Sequence, residues 1–375
     1  YMQYREITSE KLNVSLLGYG CMRFPVVEGD NSRIDFEESK KLLKYAIENG
    51  VNYIDTAYPY HGGKSEDFVG QVLSCGLRDR VYLATKSPVW LVKEYSDFMK
   101  YLDEQLVNLR TNYVDFYLLH SLDKDSWKKI VELRVFDFIH EAKSSGKVKK
   151  IGFSFHDELP VFKEILDSFT WDFCQIQLNY MDTGYQAGLE GLMYAKSKGI
   201  DVVVMEPLKG GKLAIIPQSS KEAIERKAPE RTAAELALKW LQQQEGVKVV
   251  LSGMSSMEQI EENIKIYSDN TPLSESELEA VDYLKSFFES RIAVGCTGCE
   301  YCQPCKAGVR IPGIFELYNN LTVYETVDQS KSSYKGYIEK GTSSLSCVEC
   351  GECEAICPQQ LSIISQLKDA HKALI

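Results

Sequence analysis

The 375-residue chain has no unbroken apolar run near the ~20 residues that a membrane-spanning helix needs, which argues against an integral membrane protein. Its first residues, YMQYREITSEKLN, have no apolar core of the kind a secretory signal carries. Basic charge is also scarce. Lys and Arg total 43 against 54 Asp and Glu, a formal net charge of −11, so neither a nucleic-acid groove nor an anionic membrane surface is an expected partner. No internal repeat occurs apart from two cysteine runs, and no low-complexity tract occurs. What is plentiful is cysteine. Eleven cysteines without an export signal imply a reducing, cytoplasmic compartment, where thiolates serve metals or chemistry and seldom pair as disulfides. Eight of them lie after residue 295, a skew that divides the chain into residues 1–290 and 291–375.

The first part alternates short β-branched runs with longer helical stretches. Strands are expected over residues 16–20, 52–55, 81–86, 114–120, 149–154, 173–177, 201–206 and 247–252. Between them lie segments such as FEESKKLLKYAIENG, in which Phe36, Leu43, Ala46 and Ile47 share a helical face and Gly50 ends the turn. Eight parallel strands with helical crossovers close into a (β/α)8 TIM barrel, an α/β architecture of ~250 residues that leaves no sheet edge. An open doubly wound sheet would call for GxGxxG after the first strand, and LGYGCMRFP lacks the third glycine. The seventh crossover, PLKGGKLAIIPQSSKEAIERKAPER before TAAELALKW, is the longest and suggests a loop folded over a ligand. After the eighth unit, SESELEAVDYLKS opens with a capping box and predicts one more helix.

In such a barrel the chemistry sits at the carboxyl ends of the strands. Asp55 in NYIDTAY, Lys86 in VYLATK and His120 in VDFYLLH stand at successive strand ends, and Tyr60 follows Asp55 by five residues. Each alone has an ordinary explanation as a cap, a surface lysine or a structural histidine. Together they form a proton-transfer set. Reducing a carbonyl by hydride leaves an alkoxide that needs a proton, and a Tyr hydroxyl with a pKa of ~10 supplies one when a neighbouring ammonium stabilises its phenolate. Lys86 can be that ammonium, Asp55 would hold it charged and in place, and His120 would hydrogen-bond and orient the substrate oxygen.

The motifs DTAYPYHGGKSEDFVGQVL, LATK, LLH, IGFSFH, QIQLNY, EPLKGG and LSGMSSMEQIEEN resemble, in order and spacing, those of the aldo-keto reductases, over roughly residues 3–268. The resemblance implies a catalytic tetrad of Asp55, Tyr60, Lys86 and His120, and a nicotinamide cofactor bound without a Rossmann fold. It also implies that Ser154 and Gln175 hold the carboxamide and that Cys21 and Met22 line the nicotinamide. Pro207, Leu208 and Gly210 would take the pyrophosphate, and Gly253, Ser255, Gln259, Glu262 and Asn263 the adenosine end. The chain departs from the family pattern in two places. Phe155 follows Ser154 where Asn is frequent, and Met205 stands where an aromatic stacks on the nicotinamide, so packing is an equal reading for both. No Arg or Lys within GMSSMEQ serves a 2′-phosphate, so the choice of NADP over NAD rests on family habit.

The carboxyl-terminal part carries CTGCEYCQPC from Cys296 and CVECGECEAICP from Cys347. CxxCxxC places three thiolates for one cubane cluster, and a fourth cysteine beside a proline serves the other cluster. By that rule Cys296, Cys299, Cys302 and Cys357 hold one 4Fe-4S cluster, and Cys305, Cys347, Cys350 and Cys353 the second. Four-cysteine zinc sites also use CxxC pairs, but two compact four-cysteine runs favour iron-sulfur. The runs resemble ferredoxin domains, and the long connection between them favours a small, mainly helical type. That connection reads as helical PGIFELYNNL followed by loop-like DQSKSSYKGYIEKGTSS. Glu300, Glu349, Glu352 and Glu354 lie among the ligands, an acidic setting that lowers cluster potentials or docks a basic partner. Cys21, Cys75 and Cys174 lie apart and read as ordinary thiols.

A nicotinamide transfers two electrons as hydride whereas a 4Fe-4S cluster passes them singly, so the two halves need a mediator, either a redox protein partner or a flavin that no motif reveals. The expected function is interconversion of a small carbonyl and alcohol, linked to electron transfer through the clusters. The alternative is an electron-transfer protein whose barrel is a docking or sensing body.

Overall fold

The computed structural model describes residues 1–375 and divides them into two compact units. The first comprises residues 1–215 and 231–278, the second residues 216–230 and 279–375. The sequence division at 290/291 coincides with the end of the helix Glu275–Ser290, the compact units part within that helix at 278/279, and the second unit includes a stretch of the seventh crossover. No helix is long and apolar enough to cross a membrane.

The chain opens with an antiparallel hairpin, β1 (Tyr4–Ile7) and β2 (Leu12–Ser15), which the sequence reading left without structure. Eight parallel strands follow: β3 (Leu17–Gly20), β4 (Tyr53–Asp55), β5 (Tyr82–Ser87), β6 (Val114–Leu122), β7 (Val148–Phe155), β8 (Phe173–Gln177), β9 (Asp201–Met205) and β10 (Val247–Ser252). They close in sequence order, with β10 pairing β3, so no edge is left unpaired. Within the barrel, Tyr53, Phe116 and Phe173 pack with ring centroids 5.1 Å apart in successive pairs. Ile7 and Val14 of the hairpin join this cluster at the strands' amino ends. The hairpin therefore plugs one mouth, and the other mouth, at the carboxyl ends, is left for chemistry.

The crossover helices bury one face each. In the helix Phe36–Glu48, Asp35 accepts a hydrogen bond from the Glu38 amide at 3.2 Å, and Leu42, Leu43, Ala46 and Ile47 are buried. Gly50 follows with φ +99°, a left-handed turn that an L side chain would strain. Phe36, expected on the same face, is partly exposed and meets the edge of Phe68.

The second unit has a smaller core, centred on Val309, Ile311, Ile314, Phe315, Tyr334, Ile363 and Leu367. The stretch expected to be a polar loop is the helix Val327–Glu339. Its polar composition hides one anchor: Tyr334 is fully buried, and its hydroxyl meets His371 Nδ1 at 2.9 Å. A single buried aromatic with a satisfied hydroxyl ties down a helix that shows little apolar periodicity.

Candidate active site and thiol-lined hollows

β4 ends at Asp55, and the 3-10 turn Tyr60–Gly63 follows it. His61 and Gly62 there adopt φ of +54° and +60°, which turns the chain sharply and returns Tyr60 over the strand ends. β5 carries Lys86, whose Nζ donates to Asp55 Oδ2 at 2.7 Å, to the Thr56 carbonyl at 2.8 Å and to the Tyr60 hydroxyl at 3.3 Å. All three ammonium protons thus have partners, although the side chain is wholly buried. The ammonium also lies 4.8 Å from the Tyr60 ring centroid. β6 brings His120 edge-on to Tyr60, with ring centroids 6.1 Å apart, and Trp90 lies 5.2 Å from His120 on the outer side.

Burial works against the Lys86 charge, but Asp55 and Tyr60 outweigh it and hold the ammonium above its ordinary value. Burial likewise pushes the Asp55 carboxyl up while Lys86 pulls it back, and the 2.7 Å contact describes an ionised pair. Burial is also the largest influence on Tyr60 and raises it; Lys86 pulls it down, and Asp55 pushes it up again. The direction corrects the simple expectation that Lys86 alone sets this group, because desolvation of the phenolate outweighs one ammonium. Tyr60 is therefore held as the neutral phenol, the form that donates a proton. Burial, followed by Lys86 and His156, keeps His120 well below its ordinary value and so neutral.

A cleft of about 610 Å³ opens over these groups. Its wall includes Met22, Asp55, Tyr60, His120, Ser154, Gln175, Met205, Pro207, Leu208 and Gly210, with Gly253, Ser255, Gln259, Glu262 and Asn263 further along. Gln175 Oε1 is buried without a hydrogen-bond partner, while its amide nitrogen meets Met205 Sδ at 3.5 Å. An orphaned acceptor on the cleft wall suits the N–H of a carboxamide, so the residues present fit a nicotinamide. Ser154 Oγ accepts from the Ser121 amide at 2.7 Å and keeps its own proton free. Two residues near these motifs lie off the cleft wall. Cys21 is completely buried and forms no part of the cleft wall, because its thiol turns back to the Tyr19 carbonyl at 3.9 Å. Phe155 is buried too, packed on Phe153 and Phe162, which favours the packing reading.

The cleft also contains residues that the sequence reading passed over. His156 follows β7 and meets Gln186 Nε2 at 3.3 Å through Nδ1; it was visible in IGFSFH as a second strand-end histidine. Arg23 also lines the cleft. Its stem lies against Gly253, where a Cβ would stand 3.0 Å from Cδ, and its guanidinium lies beside Gly210. No local motif marks Arg23, because its position depends on β3 and β10 being neighbours.

In the second unit the thiols surround two hollows. Cys296, Cys299, Cys302 and Cys357 line one. Cys305, Cys347, Cys350 and Cys353 line the other, with Cys302 in the shared wall. Four thiolates around a hollow suit a cube with one thiolate per iron, so the residues fit 4Fe-4S clusters. The acidic setting is weaker than its sequence implies. Glu349 pairs with Lys368 at 2.7 Å, Glu352 pairs with Lys306, and Glu354 Oε1 accepts the Ile364 amide at 2.8 Å.

The molecule is thus a TIM barrel with a cleft over an Asp–Lys–Tyr–His set at the carboxyl ends of its strands. The sequence profile described as the aldo/keto reductase family matches residues 16–286, and that of a 4Fe-4S dicluster domain matches residues 295–362. The chain belongs to the aldo/keto reductase family, an oxidoreductase family, and carries a carboxyl-terminal 4Fe-4S dicluster domain. Among curated relatives, L-galactose dehydrogenase of Arabidopsis thaliana is 28% identical over 306 residues, covering 75% of this chain and 94% of the relative. NADH-specific methylglyoxal reductase of Escherichia coli is 26% identical over 307 residues, covering 69% and 91% respectively. An aldo-keto reductase of Bacillus halodurans in its holo form superposes with a TM-score of 0.63 at 26% identity, covering 76% of this chain and 96% of that one.

Proposed function

We propose that the barrel interconverts a small carbonyl and its alcohol with NADP or NAD as hydride carrier, and that the second unit holds two 4Fe-4S clusters linking this reaction to electron transfer. The observation that carries the reading is the buried Lys86 ammonium, joined at once to Asp55 at 2.7 Å and Tyr60 at 3.3 Å under the cleft. A reduced nicotinamide, when bound, supplies the hydride. Tyr60 then gives its hydroxyl proton to the developing alkoxide, and Lys86 stabilises the phenolate left behind. Asp55 keeps Lys86 charged and fixed. Neutral His120 donates a hydrogen bond to the substrate oxygen, and its low basicity keeps it from competing for the transferred proton. Gln175 and Ser154 would hold the carboxamide, Pro207, Leu208 and Gly210 the pyrophosphate, and Gly253, Ser255, Gln259, Glu262 and Asn263 the adenosine end.

Clusters in the second unit would pass electrons singly, with Cys296, Cys299, Cys302 and Cys357 on one and Cys305, Cys347, Cys350 and Cys353 on the other. A redox protein or a flavin is the mediator this division requires, and the cytoplasm is the compartment that suits the thiolates. Relatives named for a sugar and for methylglyoxal point to a small, oxygenated carbonyl substrate.

The deciding experiment is Tyr60→Phe in cluster-loaded protein, assayed anaerobically with NADPH and NADH. Carbonyl turnover should fall about 10²–10⁴-fold while the cofactor still binds, the range for loss of a general acid. Unchanged turnover sinks the reading.

A further inference from the structure

The seventh crossover connects β9 to the helix Ala233–Gln242. It leaves the barrel through Pro207, Leu208 and Gly210 on the cleft wall, and Ala214 and Ala234 line the same cleft on either side of the excursion. Between them, residues 216–230 belong to the second unit. The wall of the barrel's cleft is thus continuous in the chain with a segment folded as part of the dicluster unit.

Inside that unit the segment is held by charged contacts. Ser219 Oγ donates to Glu325 Oε1 at 2.6 Å and accepts from Arg291 Nη1 at 3.0 Å, and Arg291 pairs with Glu325 at 2.6 Å. Lys227 pairs with Glu279 at 2.6 Å. Glu325 directly follows the helix Ile311–Tyr324. The other end of that helix belongs to the thiol sites, since Ile311 lines both hollows and Phe315 one of them. One helix therefore spans from the thiol-lined hollows to the residue that fastens the crossover.

That helix packs directly on the hollows. The core of the unit is small, and Cys296, Cys302, Cys305, Cys347, Cys353 and Cys357 are packed against it. Where thiolates make up the margin of a small core, metal binding supplies much of the folding free energy.

We propose that cluster occupancy and nicotinamide affinity are thermodynamically linked through the seventh crossover: filled clusters fasten Ser219 through Glu325, which keeps Leu208 and Gly210 ordered for the cofactor. The inference rests on the reading that the barrel binds a nicotinamide. It requires no electron to pass between the halves. Linkage is reciprocal, so bound cofactor also stabilises the clusters.

The test measures NADPH and NADH dissociation constants anaerobically, by cofactor fluorescence, for loaded protein, for chelator-stripped protein and for loaded Glu325→Ala and Glu325→Gln. Stripping should weaken binding about 5–150-fold, the usual span of a coupling between sites. Glu325→Ala should weaken it in the same direction at unchanged iron content, with Glu325→Gln intermediate because it keeps an acceptor for Ser219. Saturating cofactor should raise the chelator concentration needed to remove iron from the wild type. Equal affinities in loaded and stripped protein overturn the linkage. Weaker binding after stripping, with both Glu325 variants unchanged at full iron content, overturns the crossover route. Absence of nicotinamide binding by the loaded wild type overturns the reading beneath it.

Discussion

The barrel and the dicluster unit solve the same folding problem with different materials. The barrel encloses Tyr53, Phe116, Phe173, Val203 and Val249 inside its strands and surrounds them with a second, larger apolar layer. No barrel strand is an edge, because the sheet closes on itself. With that stability in hand, the barrel keeps an ion pair dry at its mouth. The second unit has no sheet, a core centred on a few residues, and cysteines at the core's margin. In one unit apolar packing alone encloses the candidate site, and in the other the candidate ligands are themselves part of the packing.

The sharpest way to break this contrast is to remove iron. Chelation should abolish the ellipticity of the helices Ile311–Tyr324, Val327–Glu339 and Ile363–Leu374 and open the second unit to limited proteolysis, while the cooperative transition of the barrel persists. If the whole chain melts together, the two units are not separately stabilised. Next in size is Lys86→Met, which strands Asp55 in a dry site. It should cost the barrel about 3–5 kcal/mol by denaturant titration and lower carbonyl turnover about 10²–10⁴-fold, with iron content unaffected.

Gly152→Ala should be milder. A Cβ there would stand 2.5 Å from the Phe173 carbonyl and 2.8 Å from its ring, and overpacking of this kind costs about 1–3 kcal/mol, read as a lower barrel Tm. The smallest expected effect is on pH dependence. The proposed reduction needs protonated Tyr60, and a raised phenol stays protonated until pH climbs through its elevated value. His120, lowered well below its ordinary value, is already neutral at ordinary pH. The rate of carbonyl reduction should therefore show no step near the ordinary histidine pKa of ~6.5 and should fall only on the alkaline side. A step near 6.5 would mean that His120 titrates in the working range.

Much of the barrel was legible because the signals are local. Short β-branched runs bounded by turns mark the eight barrel strands to within a residue or two at most ends, as at Phe173–Gln177 and Val247–Ser252. The hairpin of β1 and β2 escaped, since its strands are four residues each and become meaningful only once Ile7 and Val14 find the barrel interior. The helix Val327–Glu339 escaped for a related reason. Its polar sequence resembles a loop until Tyr334 has a core to enter.

By itself the sequence determined the residue types of the candidate site and their order: Asp55, Lys86 and His120 at consecutive strand ends with Tyr60 five residues after Asp55, and two runs of four cysteines. Strand ends follow from short-range periodicity, and ligand spacing is set by a few residues of chain, so both can be read locally. Tertiary structure alone decided that Cys21 is hidden and Arg23 is in the cleft, and that burial outweighs Lys86 in setting the direction of Tyr60. It also decided that most of the acidic residues among the cysteines have partners, and that a crossover of the barrel belongs to the other unit. Each of these depends on which distant segments become neighbours and how much water they exclude, and desolvation is a property of the packed fold that no local spacing encodes.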